Sequence, residues 1–219
     1  MKKNVVATVV IGAHTQIYDI TQARMQEYAD QLQADHIVMT ETKLAPLHYA
    51  KFELLCRLAE DGYARVLYLD ADIHVRQGAP DIFGVYENAA FNEAPHAVPA
   101  NLTKSVDWIR KKFIPDWPEN RYFNSGVLVF TKFGLRKLAR TIRGTSPIPG
   151  PFFEQDQLNV LMREAGFPTQ QLDRKWNQFT GVNWVTDDHA AAAYFLHGNG
   201  LSQFDQKVAR LKEFVEKYP

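Results

Sequence analysis

Asp70 and Asp72 stand one residue apart and follow directly on the apolar run Val66-Leu67-Tyr68-Leu69. In an extended chain, residues two apart point to the same face at roughly 6–7 Å, so a slight bend brings both carboxylates to one divalent cation. Mg²⁺ and Mn²⁺ favour oxygen ligands and are commonly held by one or two carboxylates together with substrate phosphates. Two acids therefore suffice when a diphosphate supplies the rest. With 14 aspartates in 219 residues, chance alone gives about one such pair, so its placement carries the reading. The apolar run reads as a buried central strand, and open α/β sheets bind ligands beyond the carboxyl ends of their strands.

Four further segments offer groups to such a site. Phe123-Asn124-Ser125-Gly126-Val127 sets two small polar side chains and a glycine at a strand start, where a backbone can approach a ligand closely; the same residues also make an ordinary turn. Glu154-Gln155-Asp156-Gln157-Leu158-Asn159 opens a helix, where acidic residues are favourable with or without chemistry. Asp173-Arg174-Lys175-Trp176-Asn177 reads as a polar surface loop bearing an aromatic. Phe195-Leu196-His197-Gly198-Asn199-Gly200 puts a histidine directly after a short apolar strand. A lone histidine there is most often structural, yet imidazole is an acceptable third ligand for Mn²⁺ beside two carboxylates.

The elements that must position these groups follow from periodicity and breakers. Val5–Ile11 reads as a first strand, β-branched and short as buried parallel strands are. Ile20 to Leu32 approximates helical spacing, with Asp19 or Thr21 as N-cap, and His36–Met39 is a second strand. Pro46 precedes a helix ending near Gly62, and the strand bearing the acid pair comes next. This β-α-β-α-β order predicts a parallel sheet with right-handed crossovers. Beyond it, Asn92 to Pro118 reads as a surface helix with a solvated basic side, Arg110-Lys111-Lys112, a substrate-facing excursion being the alternative. Phe123–Phe130 is a strand, Leu135–Arg143 a helix, Pro147–Pro151 a rigid loop. Glu154–Glu164 is a helix, Tyr194–Leu196 a last strand, and Asp205–Tyr218 a terminal helix with Val208, Leu211, Phe214, Val215 and Tyr218 on one face.

Composition bounds the alternatives. The length suits one domain over residues 1–219. Lysine plus arginine balance aspartate plus glutamate at 25 each, which does not suggest a nucleic-acid partner. Cys56 is the only cysteine, so no disulfide forms within the chain and a reducing compartment is expected. No apolar run approaches the ~18 residues of a membrane span. A cytoplasmic protein is expected; peripheral membrane attachment through the terminal helix is the alternative, which its mixed charges do not favour.

Taken in order, these segments resemble the family 8 retaining glycosyltransferases of the glycogenin and lipopolysaccharide galactosyltransferase type. The resemblance covers most of the chain. It implies the GT-A fold, a Rossmann-like, mostly parallel central sheet flanked by helices with a small antiparallel element. It also implies transfer of a hexose from a nucleotide-diphosphate sugar, a UDP-sugar, to a hydroxyl acceptor. By this resemblance Asp70, Asp72 and His197 bind Mn²⁺ or Mg²⁺, and Glu154, Gln155 and Asp156 form the catalytic segment, with Gln155 near the reacting carbon and Glu154 on sugar hydroxyls. Lys51 matches the basic residue near the donor diphosphate. Ala71, Asn124, Ser125, Gly126 and Gly200 border the donor, and Ala13 and Tyr18 lie in the segment that follows the first strand. Three positions depart from the family pattern: Glu154 stands where aspartate is usual, Gln203-Phe204-Asp205 replaces a Lys-Pro-Trp, and Ala13-His14-Thr15-Gln16-Ile17-Tyr18 alters an Asn-Asp-x-Tyr. Two rival readings are a sugar-phosphate nucleotidyltransferase, which should carry a glycine-rich phosphate loop after its first strand where Gly12-Ala13-His14-Thr15 stands, and a non-catalytic nucleotide-sugar-binding module.

Overall fold

A computed structural model describes residues 3–92, 100–118, 121–166, 169–181, 186–199 and 203–219. The first half is the alternating unit that the sequence predicts: β1 (Asn4–Val9), α1 (His14–Gln31), β2 (Ala34–Met39), α2 (Ala50–Asp61) and β3 (Arg65–Leu69). β1 pairs in parallel with both β2 and β3. The chain continues through β4 (Ile73–Val75), the short α3 (Ile82–Val85), β5 (Ala89–Asn92), α4 (Ala100–Lys112) and β6 (Phe123–Thr131). The remaining elements are α5 (Lys132–Arg143), α6 (Glu154–Glu164), β7 (Gln170–Gln171), β8 (Gln178–Phe179), α7 (Asp187–Ala192), β9 (Phe195–His197) and α8 (Phe204–Lys217).

Six strands form the main sheet in the order β2-β1-β3-β6-β5-β7, and β4-β9-β8 form a smaller one. β6 runs antiparallel to β3 and to β5, while β7 is parallel to β5. In the small sheet β4 and β9 are antiparallel, and β8 joins β9 in parallel. The unbroken apolar character of β3 has a simple cause, since both of its faces are covered. Val66 and Tyr68 pack with Leu54, Leu55 and Leu58 of α2 on one side, whereas Leu67 and Leu69 pack with Met25 and Tyr28 of α1 on the other. Gly62 ends α2 in the left-handed conformation at φ 74°, the usual role of a glycine just past a helix.

Several boundaries differ from the sequence expectation. α1 begins at His14, not Ile20, with Ala13 at its N-cap and no side-chain cap; its first turns are largely solvent-facing, so only Ile17 and Tyr18 point inward and the apolar period is diluted there. Asp19 and Thr21 therefore lie inside the helix, and the Thr21 hydroxyl instead donates to the Ala71 carbonyl at 2.7 Å. The last strand shifts by one residue, which puts His197 within β9 rather than after it. α4 buries Val106 and Ile109 with Trp117 and Tyr122, while Lys111 and Lys112 are exposed; residues 93–99 of that excursion lie outside the described residues. α8 buries Val208, Leu211, Phe214 and Tyr218 against its own chain.

Candidate active site

The end of β3 meets the start of β6 because the two strands are antiparallel, with Leu69 opposite Val127. The next residue, Asp70, donates its backbone N–H to the Gly126 carbonyl at 2.8 Å. The chain turns, and β4 begins with Ile73 opposite His197 of β9. Two sheets thus deliver Asp70, Asp72 and His197 to one place, where one ligand atom from each lies within 4.8 Å of the others. Gly198 completes the closeness, its N–H donating to the Asp72 carbonyl at 2.9 Å.

The orientation of the His197 ring and the hydrogen on its Nδ1 can be derived from its neighbours. The Gly126 N–H must donate, so the Asn124 side-chain atom facing it at 2.9 Å is the carbonyl oxygen. That oxygen also accepts from Asn177 Nδ2 at 2.9 Å, which turns Asn177 Oδ1 toward His197 Nδ1 at 2.8 Å. Nδ1 therefore carries the hydrogen, and Nε2 is the atom left facing Asp72 Oδ1 at 3.3 Å. A lone pair opposite a carboxylate oxygen repels unless a cation, a proton or a metal, is shared between them. Two carboxylates and an imidazole nitrogen in this state fit a divalent Mn²⁺- or Mg²⁺-type ion.

The network continues in one sense beyond Asn124. Its Nδ2 donates to Gln155 Oε1 at 3.1 Å, and the Ser125 N–H donates to the same oxygen at 3.0 Å. Gln155 Nε2 donates to the Tyr122 hydroxyl at 2.9 Å, which in turn donates to Asp156 Oδ1 at 2.6 Å. The other Asp156 oxygen accepts from the Phe152 N–H at 2.7 Å. Asp156 is 0% exposed, and burial pushes its carboxyl above the ordinary range against the opposing pull of Tyr122 and Phe152. It thus meets the site only through Tyr122, whereas Gln155 and Glu154 face β6 directly.

Lys51 is the buried cation of the cluster. Only 3% exposed on α2, it contacts Glu154 Oε1 at 2.9 Å, Ser125 Oγ at 2.8 Å, the Ser125 carbonyl at 3.2 Å and Asp70 Oδ1 at 3.2 Å. Burial alone would lower its pKa, but Asp70 and Glu154 outweigh that and raise it, so the ammonium stays charged. The Tyr68 hydroxyl donates to Asp70 Oδ1 at 2.7 Å. On the opposite side Lys207 of α8 reaches Asp72 Oδ2 at 2.7 Å. Burial would push the Asp72 carboxyl up, yet His197, when a proton sits on Nε2, and Lys207 together hold it well below the usual carboxylate range.

Of the residues singled out from sequence, Lys51, Asp70, Asp72, Asn124, Ser125, Gly126, Glu154, Gln155 and His197 are joined here by direct contacts. Ala71 is buried between the two acids. Ala13 and Tyr18 sit at the start of α1, where the Tyr18 hydroxyl lies 3.5 Å from His36 Nε2. Gly200 lies outside the described residues. Asn177, Lys207, Tyr68 and Tyr122 were missed. Asn177 belongs to the segment that reads as surface, yet it is 1% exposed; the buried Trp176 beside it was the one available signal.

A family model described as Glycosyl transferase family 8 matches residues 9–202. No curated protein matches the chain. Among solved structures, a glycosyltransferase involved in the glycosylation of the major capsid of PBCV-1 is 17% identical with a TM-score of 0.68, covering 98% of this chain and 99% of that one. The apo bifunctional glycosyltransferase WbbM is 13% identical with a TM-score of 0.61 over 100% of this chain, which spans 50% of WbbM. The galactosyltransferase LgtC, solved with donor and acceptor sugar analogs, is 12% identical with a TM-score of 0.59, covering 98% of this chain and 96% of that one. At these identities the likeness speaks for the fold.

Proposed function

The chain belongs to glycosyl transferase family 8 and has the GT-A fold, and on that premise we propose that it transfers a hexose from a UDP-sugar to a hydroxyl acceptor with retention of anomeric configuration. The observation that carries the proposal is the meeting of the Asp70, Asp72 and His197 triad with the Lys51, Glu154 and Gln155 cluster at the shared end of β3 and β6.

Asp70, Asp72 and His197 would hold the Mn²⁺ or Mg²⁺ ion, whose bound contribution is to neutralise charge on the departing diphosphate as a Lewis acid. Lys51 adds a fixed positive charge that needs no rearrangement during reaction. Glu154, held by Lys51 at 2.9 Å, would grip sugar hydroxyls. Gln155 has its amide orientation set from both ends, so that Oε1 and not Nε2 faces β6. With both lone pairs of Oε1 committed to Asn124 and Ser125, Gln155 would act near the reacting carbon through the fixed dipole of its amide as the oxocarbenium-like centre develops. In the step itself the bond from the anomeric carbon to the phosphate oxygen breaks, the acceptor oxygen bonds to the same face, and its proton passes to the departing phosphate. Asp156 and Tyr122 act through Gln155 as positioning residues, and Asn124, Ser125, Gly126 and Ala71 line the donor. Ala13, Tyr18 and Gly200 complete the donor set in this reading, with a cytoplasmic setting and one domain over residues 1–219. No helix among the described residues is long and apolar enough to cross a membrane.

A panel of nucleotide sugars with and without Mn²⁺ tests the donor, because specific binding raises the unfolding temperature with ligand concentration. A metal-dependent shift with UDP-sugars, lost in Asp72→Asn, is expected; no donor-dependent shift in the parent protein overturns the reading. Product analysis by NMR should give retained configuration, and an inverted product excludes the mechanism.

A further inference from the structure

We propose that Lys207 makes cation binding and donor binding mutually dependent: its ammonium holds Asp72 until the diphosphate of the donor draws it off, so that each ligand strengthens the other. The inference rests on the donor and cation reading given above.

Both oxygens of Asp72 face a protein group, Oδ2 the Lys207 ammonium at 2.7 Å and Oδ1 the His197 Nε2 at 3.3 Å. A cation entering the triad must therefore share Asp72 with an ammonium. Formal charge sharpens the conflict. Three carboxylates, Asp70, Asp72 and Glu154, face two ammonium groups, Lys51 and Lys207. A divalent cation alone would turn this net negative cluster positive, and like charges a few ångströms apart in a partly buried site repel strongly. A diphosphate reverses the sign again and offers the displaced lysine new acceptors.

The two lysines are not equivalent in this respect. Lys51 is 3% exposed and locked by Ser125, Glu154 and Asp70. The Lys207 side chain is 21% exposed and rises from the first turn of α8 on a flexible four-carbon stem. Lys51 is built in, and Lys207 is the one that can turn. Because coupling between two ligands is reciprocal, the lysine that weakens the cation alone must strengthen the pair.

Calorimetric titration of Mn²⁺ into the full chain, with and without saturating UDP and corrected for association of Mn²⁺ with UDP in buffer, tests this. In Lys207→Met, Mn²⁺ alone should bind about tenfold tighter or more, and the enhancement given by UDP should shrink by a similar factor. Lys207→Gln should behave the same way, and Lys207→Arg should retain the parent coupling. Unchanged or weaker Mn²⁺ binding in both neutral variants, or an undiminished UDP enhancement, overturns the proposal alone. Failure of the parent to bind Mn²⁺ in either condition, or full binding by Asp70→Asn, overturns the cation reading beneath it.

Discussion

Asn177 Oδ1 lies 2.8 Å from His197 Nδ1, and this one contact decides which imidazole nitrogen faces the acid pair. The oxygen is on that side because Asn177 Nδ2 is committed to Asn124, whose own oxygen is fixed by the Gly126 N–H. The state of the triad is thus dictated by a strand backbone amide two side chains away.

Asn177→Leu should leave His197 free to adopt either tautomer. Loss of such a partner typically weakens metal binding by roughly 10–100-fold. A Mn²⁺ titration reads the loss, and nitrogen NMR of the His197 ring should show mixed tautomers where the parent shows hydrogen on Nδ1. Equal Mn²⁺ affinity in the two proteins would refute the role.

Tyr122→Phe cuts the chain between Gln155 and Asp156, leaving a buried carboxylate oxygen and an amide N–H each short of a partner. A stability loss of about 1–3 kcal/mol is expected from the orphaned groups, measured by urea unfolding. In turnover assays the variant should lose kcat with little change in KM for the donor, since Gln155 is assigned to the transition state. A rise in KM with kcat intact would move Gln155 to ground-state binding.

How much of this was legible beforehand depends on the range of the contact. The acid pair at a strand end, the span of α6 and the glycine that ends α2 are local signals, each readable from a few neighbouring residues. Asn177 pairs with residues 20 and 53 positions away, and Lys207 with one 135 away. Nothing in either neighbourhood announces the partner, and a polar loop with one buried tryptophan looks like surface until β8 and β9 close over it. The early start of α1 escaped for the opposite reason, since its first turns face solvent and carry almost no apolar period.

Gly126→Ala is the sharpest steric test. A Cβ there would collide with Cε1 of His197 and come within 2.9 Å of Asn124 Oδ1. Both neighbours belong to the hydrogen-bonded chain, so neither can yield without breaking it. The variant should fold less stably and lose Mn²⁺ binding by tenfold or more, on the order expected when a ligand's supporting shell is disturbed. Calorimetry showing parent-like Mn²⁺ affinity would contradict the close packing of β6 on the triad.

Alkaline pH offers a check away from the metal. Burial, with Glu154 and Asp156 adding to it, pushes the Tyr49 phenol up to about 12 from 10.0. The unfolded chain releases this proton first, so between about pH 10 and 12 it binds fewer protons than the folded protein, and stability falls as pH rises. Below that window the tyrosine leaves the pH dependence flat. Tyr49→Phe should make the decline above pH 10 shallower in denaturant unfolding, with Tyr28 and Tyr68, raised by burial as well, sustaining the rest. An identical slope in the variant would mean that Tyr49 titrates normally.

The anchoring of β6, by β3 over residues 127–131 and by β5 at Phe123 and Asn124, constrains how this chain can change length. Alternate residues of a strand point to opposite faces, so a one-residue insertion or deletion in 123–127 exchanges the faces of Asn124 and Ser125. Lys51 would then lose its hydroxyl partner at the moment that the His197 chain loses its amide. Insertions and deletions in this chain should therefore be tolerated only outside residues 123–127, the stretch across which the partner of β5 passes from Leu128, opposite Ala90, to Asn124, opposite Phe91.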